Sequence, residues 1–137
     1  MNRQRLSDSL RKHEGVRSIP YTDTEGHLTV GVGHLMSEPL PDAVIDLLLQ
    51  NDIDKAVREL DRQFFGWSVH NEARQEVLIE LVFNLGAPRL AKFVKFWDAL
   101  GRRDYQAAAT ELLASRWAEQ VKGRAVTLAK QMASGTA

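Results

Sequence analysis

Residues 13–35 read HEGVRSIPYTDTEGHLTVGVGHL and change character within a few positions. The helix-like beginning stops at Gly15, and from about 19 to 32 apolar and polar residues alternate, which is typical of a half-buried strand. The tetrapeptide DTEG at 23–26 supplies turn-forming residues within this extended segment. We therefore predict a short β-hairpin close to the N-terminus.

The two faces of the predicted strand differ in side-chain size. Leu28, Val30 and Val32 are expected to face inward. The opposite face is expected to contain His27, Thr29, Gly31 and Gly33. Two glycines on one face leave room for a ligand or another backbone to approach closely, so that a polymer chain would meet a smooth surface with one hydroxyl. Alternatively, the glycines ease the twist of the sheet, and both interpretations stay open.

The rest of the chain is predicted to be helical. The predicted helices cover residues 3–13, 42–62, 71–85, 90–100, 104–114 and 123–132. Asn71 and Asp104 are suited to cap the helices that follow them, and Gly86 and Gly101 to end the helices before them. The fold class is therefore mainly α (α+β), with one small hairpin sheet.

Composition limits the classes of protein that the chain can represent. Its 137 residues suffice for one domain with a sizeable core. The absence of cysteine excludes disulfide frameworks, thiol nucleophiles and cysteine-ligated zinc. The first fifteen residues contain no apolar run, so we expect neither a signal peptide nor a membrane anchor.

A net charge of zero conceals an uneven distribution along the chain. Residues 1–62 contain 8 basic and 11 acidic side chains, whereas residues 63–137 contain 10 basic and 7 acidic ones. The positive charge is concentrated between Gly86 and Lys130. This pattern is explained either by ordinary solvated helix faces or by a surface that meets an anionic partner.

Two carboxyl side chains of the opening stretch have contrasting predicted surroundings. Glu14 ends the first helix, beside the negative end of its dipole. Asp23 stands at the head of the hairpin turn, in a more solvated setting. Such a contrast allows one protonated acid and one ionised base, the division that cleavage of a glycosidic bond requires. A plain turn-forming role for Asp23 is the alternative.

The spacing of Glu14, Asp23 and Thr29, followed by VGVGHL, resembles the pattern of phage-type lysozymes, glycoside hydrolase family 24. The segments AVREL, LVFNLG, AATELLASRW and GRA, at 56–60, 81–86, 108–117 and 123–125, resemble family segments in the same order. The resemblance implies a two-lobed fold. Its parts are a small lobe over about 14–50, a linking helix over about 42–62, and a helical lobe over about 63–137 that includes the N-terminal helix 3–13.

The same resemblance implies hydrolysis of the β-1,4 bond between N-acetylmuramic acid and N-acetylglucosamine in peptidoglycan. Glu14 matches the general acid of the family. Asp23 and Thr29 match the pair that holds the attacking water on the opposite face of the sugar. The expected outcome is inversion, which needs carboxyl groups roughly 6.5–9.5 Å apart so that a water molecule fits between them and the substrate.

Further positions take expected roles from the resemblance. Those expected to bind substrate are Leu35, Phe83, Gly33 and Tyr21, with a core role for Leu35 and Phe83 as the alternative. Those expected to orient or support the site are His34 with Asp52, Glu25 with Arg116, and Arg124 beside Glu14. Trp117 is expected in the core. The segment between His34 and Asp52 is shorter than in longer family members, and Phe96 and Glu111 replace small polar groups at two sugar-contacting positions.

Other functions and the cellular setting follow as expectations. An inactive peptidoglycan-binding or scaffold protein, a transglycosylase that forms an anhydro sugar, and a nucleic-acid-binding helical domain are the alternatives to a muramidase that lyses a phage host. We expect no cofactor and no metal, because the four histidines lack ligand spacing. We expect a monomer that stays in the host cytoplasm until a separate pore-forming partner, a holin, releases it to the periplasm and the cell wall.

Overall fold

A computed structural model describes all residues from Met1 to Ala137. The chain divides into two compact units, Met1–Ile45 and Asp46–Ala137, and each is described by itself. The division falls inside the longest helix, α2 (Asp42–Gln63). The mainly helical fold with one small sheet is confirmed, whereas the lobe boundaries predicted from the resemblance, including the place of helix 3–13, stay a prediction.

The first unit consists of one helix and a three-stranded antiparallel sheet. Helix α1 covers Arg3–Glu14, and the side chain of Asn2 caps it by accepting a hydrogen bond from the Arg5 N–H. The strands are β1 (Arg17–Thr22), β2 (Leu28–Gly31) and β3 (His34–Leu35), in the order β1-β2-β3. The predicted hairpin is confirmed, and β3 is an additional strand that the sequence did not reveal.

The predicted facing of the central strand is wrong. Thr29 is only 3% exposed, whereas Leu28 is 51% exposed. Thr29 lies in the middle strand, opposite Tyr21 on one side and Leu35 on the other. Its hydroxyl donates a hydrogen bond to the carbonyl oxygen of His27, just before the strand, so this polar side chain is buried without a large desolvation penalty.

The second unit is helical. It contains most of α2 (residues 46–63), followed by the helices α3 (Glu72–Leu85), α4 (Ala87–Leu90), α5 (Val94–Gly101), α6 (Tyr105–Leu113), α7 (Arg116–Val121) and α8 (Gly123–Ser134). A single 3₁₀ turn, Trp67–Val69, precedes α3. The predicted N-caps are confirmed, since Asn71 accepts from the Arg74 N–H and Asp104 from the Ala107 N–H. Gly86 ends α3 as predicted, whereas Gly101 is the last residue of α5, whose C-cap is Arg102.

Two details of the helical prediction are wrong. The helix expected over 90–100 begins only at Val94, because Phe93 has a non-helical backbone (φ −80°, ψ 60°). Residues 87–90 before it form the short helix α4, with Pro88 in its first turn, where a missing N–H costs no hydrogen bond. Helix α7 was not predicted. Its N-cap is Ser115, whose side chain accepts from the Ala118 N–H.

The hydrophobic core lies in the second unit. Its largest buried side chains include Leu60, Leu78, Leu81, Phe96, Leu112, Trp117 and Met132. Trp117 is buried as predicted, and its indole N–H donates to Asn84 Oδ1 at 2.7 Å, which satisfies the one polar atom of the ring. No helix has both the length and the apolar composition that crossing a membrane requires.

Candidate active site

The carboxylate of Asp23 is held in one orientation by the main chain of the hairpin turn. Its Oδ1 accepts hydrogen bonds from the N–H of Glu25 (2.9 Å) and of His27 (2.8 Å). The bond from His27 is the largest influence and holds the pKa of Asp23 below its ordinary value, with help from Glu25 and against an opposing effect of desolvation. Asp23 is therefore ready to act as an ionised base, and its Oδ2 accepts no main-chain hydrogen bond.

The hydroxyl of Thr29 is tied to the same turn. Thr29 Oγ1 donates to the carbonyl oxygen of His27 at 3.0 Å. With its proton used there, the hydroxyl oxygen still has lone pairs that can accept a hydrogen bond from water. Since the His27 N–H binds Asp23 and its carbonyl binds Thr29, one residue holds both members of the predicted water-binding pair.

The third predicted catalytic residue, Glu14, is the last residue of α1 and is exposed. Its carboxylate lies close to the backbone of Gly33, at the loop between β2 and β3. A β-carbon built on Gly33 would lie 3.3 Å from Glu14 Oε2. In the first unit, therefore, the Glu14 carboxylate lies at the space above Gly33 that a side chain would occupy, and the turn joins Asp23 to Thr29.

Other predicted site residues of the first unit lie around the same sheet. Tyr21 pairs with Thr29 across β1 and β2, and the Arg17 guanidinium lies 4.7 Å from the centre of its ring. Leu35 pairs with Thr29 on the other side and is half-buried. The Nε2 atom of His34 is buried and has no hydrogen-bond partner.

Two of the predicted residues of the second unit line one cavity. Asp52 and Phe83 border a space of about 270 Å³ together with Lys55, Ala56, Glu59, Val82 and Gly86. Phe83 is 47% exposed, which favours a lining role over a core role. Arg116 is the first residue of α7 and is exposed.

Arg124 has a partner that the sequence did not reveal. Its guanidinium donates to Glu80 Oε2 from two nitrogens, at 2.9 and 3.3 Å, and so joins α8 to α3. The two residues are 44 positions apart, and neither lies in a recognisable local pattern. The predicted pairs His34–Asp52, Glu25–Arg116 and Arg124–Glu14 each join residues of different units and stay predictions.

The two positions at which the chain departs from the family pattern have different surroundings. Phe96 is 1% exposed and belongs to the core. Glu111 is half-buried and lines a cavity of about 390 Å³ with Lys92 and Lys95 among its neighbours. A side chain as buried as Phe96 offers a sugar no polar group. The expectation that substrate contacts differ at these two positions stays a prediction.

Comparison of the sequence with known proteins identifies relatives of this chain. The chain is 28% identical to the pre-baseplate central spike protein Gp5 of Enterobacteria phage T4, over 88% of this chain but only 26% of that protein. It is 25% identical to the probable T4-type lysozyme 2 of Dictyostelium discoideum and 21% identical to the probable T4-type lysozyme 1. Each of these two alignments covers 96% of this chain and 95% of the relative.

The alignments with the two Dictyostelium proteins extend over 161 positions, more than the 137 residues of this chain. Parts of those relatives therefore have no counterpart here. A model of the phage lysozyme family matches residues 11–132, a range that includes Glu14, Asp23 and Thr29. Because this match covers most of the sequence, the chain belongs to the phage lysozyme family.

Proposed function

We propose that this protein is a lysozyme that hydrolyses the β-1,4 bond between N-acetylmuramic acid and N-acetylglucosamine in peptidoglycan, with inversion, during lysis of a phage host. Membership of the phage lysozyme family supports the class of reaction. One observation supports the mechanism most directly: the main chain of the hairpin turn orients the carboxylate of Asp23 and stabilises its ionised form.

In the proposed reaction Glu14 is the general acid. Its proton passes to the bridging oxygen as the bond between that oxygen and the anomeric carbon breaks. Glu14 is exposed at the end of a helix and faces the backbone of Gly33, so a glycan strand can approach it without meeting a side chain at position 33. The proposed substrate-binding role of Gly33 is therefore to leave space for the glycan strand beside Glu14.

Asp23 and Thr29 activate the water in this proposal. The water donates one hydrogen bond to Asp23 Oδ2 and the other to Thr29 Oγ1, because Oδ1 is already bound and the Thr29 proton already donates to His27. Both water protons are then engaged, and an oxygen lone pair is free to attack the anomeric carbon. Asp23 takes the proton that the water loses, which balances the proton that Glu14 gives up.

Turnover of purified peptidoglycan tests the proposal. We expect the wild-type protein to release fragments, the Glu14→Gln variant to bind without cutting, and Glu38→Gln, an exposed glutamate of the same unit, to match the wild type. Mass spectrometry of the products distinguishes hydrolysis from transglycosylation, because hydrolysis adds one water per bond cut and anhydro-sugar formation adds none. A Glu14→Gln variant as active as the wild type would contradict the assigned acid.

An inactive wall-binding protein is the remaining functional alternative. It predicts sedimentation with peptidoglycan but no release of fragments by the wild-type protein. As part of our proposal, the protein acts as a monomer and reaches the wall through a separate pore-forming partner. Expression in bacteria with and without a co-expressed pore tests this route, since lysis should require the pore.

A further inference from the structure

The imidazole of His27 lies beside the carboxylate oxygen to which we assign the proton transfer. Its Nδ1 is 3.6 Å from Asp23 Oδ2 and 3.9 Å from Glu25 Oε2. The His27 side chain is 57% exposed, whereas that of Asp23 is 29% exposed. The ring nitrogen is therefore nearer to the less exposed of the two carboxylates, and to the Asp23 oxygen that accepts no main-chain hydrogen bond.

The distance has a chemical consequence. At 3.6 Å the ring nitrogen is beyond ordinary hydrogen-bond length, so Oδ2 keeps its lone pairs for a water molecule. A charge at this distance still acts on the carboxylate, because the attraction between unit charges falls only inversely with distance. An imidazolium here favours the ionised form of Asp23 without using the hydrogen-bonding site that the reaction needs.

His27 also holds the two water-binding residues through its main chain. Its N–H donates to Asp23 Oδ1 at 2.8 Å, and its carbonyl accepts from Thr29 Oγ1 at 3.0 Å. A substitution at position 27 keeps these two main-chain bonds and changes only the ring. The side chain can therefore be tested separately from the turn.

The charged neighbours of His27 are few. Asp23 and Glu25 lie in the same turn and both attract an imidazolium. The adjacent strand β1 carries the ionisable side chains Arg17 and Tyr21, which contact each other. The two carboxylates therefore share the charge of one ring, and the shorter distance is to the proposed base.

We propose that His27 is a positioning residue, whose imidazolium acts through Oδ2 of Asp23 to keep the water-activating carboxylate ionised at low pH. This inference rests on the proposed lysozyme function and extends it to the pH range of the reaction.

The pH dependence of kcat/KM on soluble, uncross-linked peptidoglycan strands tests this inference. In His27→Asn the acidic limb of the profile should move to higher pH by about 0.2–0.7 units, the effect of an exposed ion pair, while the alkaline limb stays in place. His27→Arg keeps a positive charge and should restore the acidic limb. The difference between Asn and wild type should shrink at high salt, because exposed charges are screened.

His13→Asn is the matched control, since His13 is an exposed histidine of the same unit with a serine as its hydrogen-bond partner. It should leave the acidic limb unchanged. A structural role of the ring would instead lower stability in both His27 variants without moving the limb. Equal acidic limbs in wild type and His27→Asn would overturn the inference.

A second readout does not depend on activity. The carboxyl ¹³C resonance of Asp23, followed by NMR titration, should change at higher pH in His27→Asn than in the wild type. Unchanged titration would overturn the role of His27 even in an active enzyme. If the wild-type protein releases no peptidoglycan fragments, the proposed function fails instead, and the titration shows separately whether the ring acts on Asp23.

Discussion

The carboxylate of Glu14 lies where a side chain at position 33 would touch it. A β-carbon on Gly33 would lie 3.3 Å from Glu14 Oε2 and 3.6 Å from its carboxyl carbon. Gly33 also has a positive φ of +66°, which other residues adopt only at a cost. The glycine therefore both permits the turn and leaves space for the acid.

Gly33→Ala should lower kcat by about tenfold to 100-fold, since small displacements of a catalytic group have effects of that order. Unfolding free energy should fall by about 1–2 kcal/mol because of the positive φ. Gly31→Ala is the control for strain: its φ is +67°, but its β-carbon would have no neighbour within 4 Å. Urea unfolding and peptidoglycan turnover of the two variants check these expectations. Equal losses of kcat in both would contradict a specific effect of position 33 on Glu14.

Two substitutions of Thr29 distinguish the effect of its hydroxyl from the effect of its size. Thr29→Val keeps the shape but removes the donor to the His27 carbonyl and the proposed acceptor for water. We expect a loss of kcat of about 100-fold or more, in the range of acid–base contributions. Thr29→Ser keeps the hydroxyl and should retain most of the activity. Initial rates of peptidoglycan hydrolysis measure the difference between the two variants. If Thr29→Val were as active as Thr29→Ser, the hydroxyl would have no role in the mechanism.

Arg74 connects three helices of the second unit. Its Nε donates to the Met132 carbonyl at 2.8 Å, Nη2 donates to the Ala133 carbonyl at 3.1 Å, and its guanidinium lies 3.5 Å from the centre of the Tyr105 ring. Arg74→Met should lower the unfolding free energy by about 2–3 kcal/mol, because charge-assisted hydrogen bonds at the end of α8 are lost. Arg89→Met, at an exposed arginine, should change it little. Urea unfolding of both variants provides the comparison.

His70 should make stability depend on pH. The ring is buried, and its Nδ1 lies 3.0 Å from the Tyr105 hydroxyl. Burial above all, and then the charges of Arg103 and Arg74, lower the pKa of His70 below its ordinary 6.5. Below about pH 6.5 the unfolded chain thus binds a proton that the folded chain excludes, so the unfolding free energy falls as pH falls.

Urea unfolding between pH 7.5 and 5 checks this dependence. The unfolding free energy should be highest above pH 6.5 and should decline as the pH falls below that value. It should level off below the pKa that His70 has in the folded protein. His70→Gln removes the titrating ring while the other three histidines remain, so its decline over the same interval should be weaker. An equally steep decline in the variant would assign it to other groups.

Local signals in the sequence predicted much of the fold. Asn71 and Asp104 cap helices because their short polar side chains reach the free N–H groups of the next turn, which is a property of neighbouring residues. The break at Phe93 was not visible, because its non-helical backbone occurs within an otherwise helical pattern. Alternation in β2 was misleading for Thr29, because that rule assumes that buried positions are apolar.

Only part of the candidate site could be predicted from the sequence. The resemblance identified Glu14, Asp23 and Thr29, and the structure joins Asp23 to Thr29 through the main chain of His27. The part played by His27 could not be predicted, since a main-chain N–H and carbonyl are present in almost every residue. Glu80 was missed as the partner of Arg124, because their ion pair depends on how α3 packs against α8.

The anomeric form of the newly released sugar tests the central claim most directly. Proton NMR of a defined peptidoglycan oligosaccharide, recorded before mutarotation, distinguishes the two anomers at the new reducing end. If Glu14 protonates the leaving oxygen while Asp23 and Thr29 deliver water to the opposite face, the first product is the α anomer. Initial release of the β anomer would contradict this account.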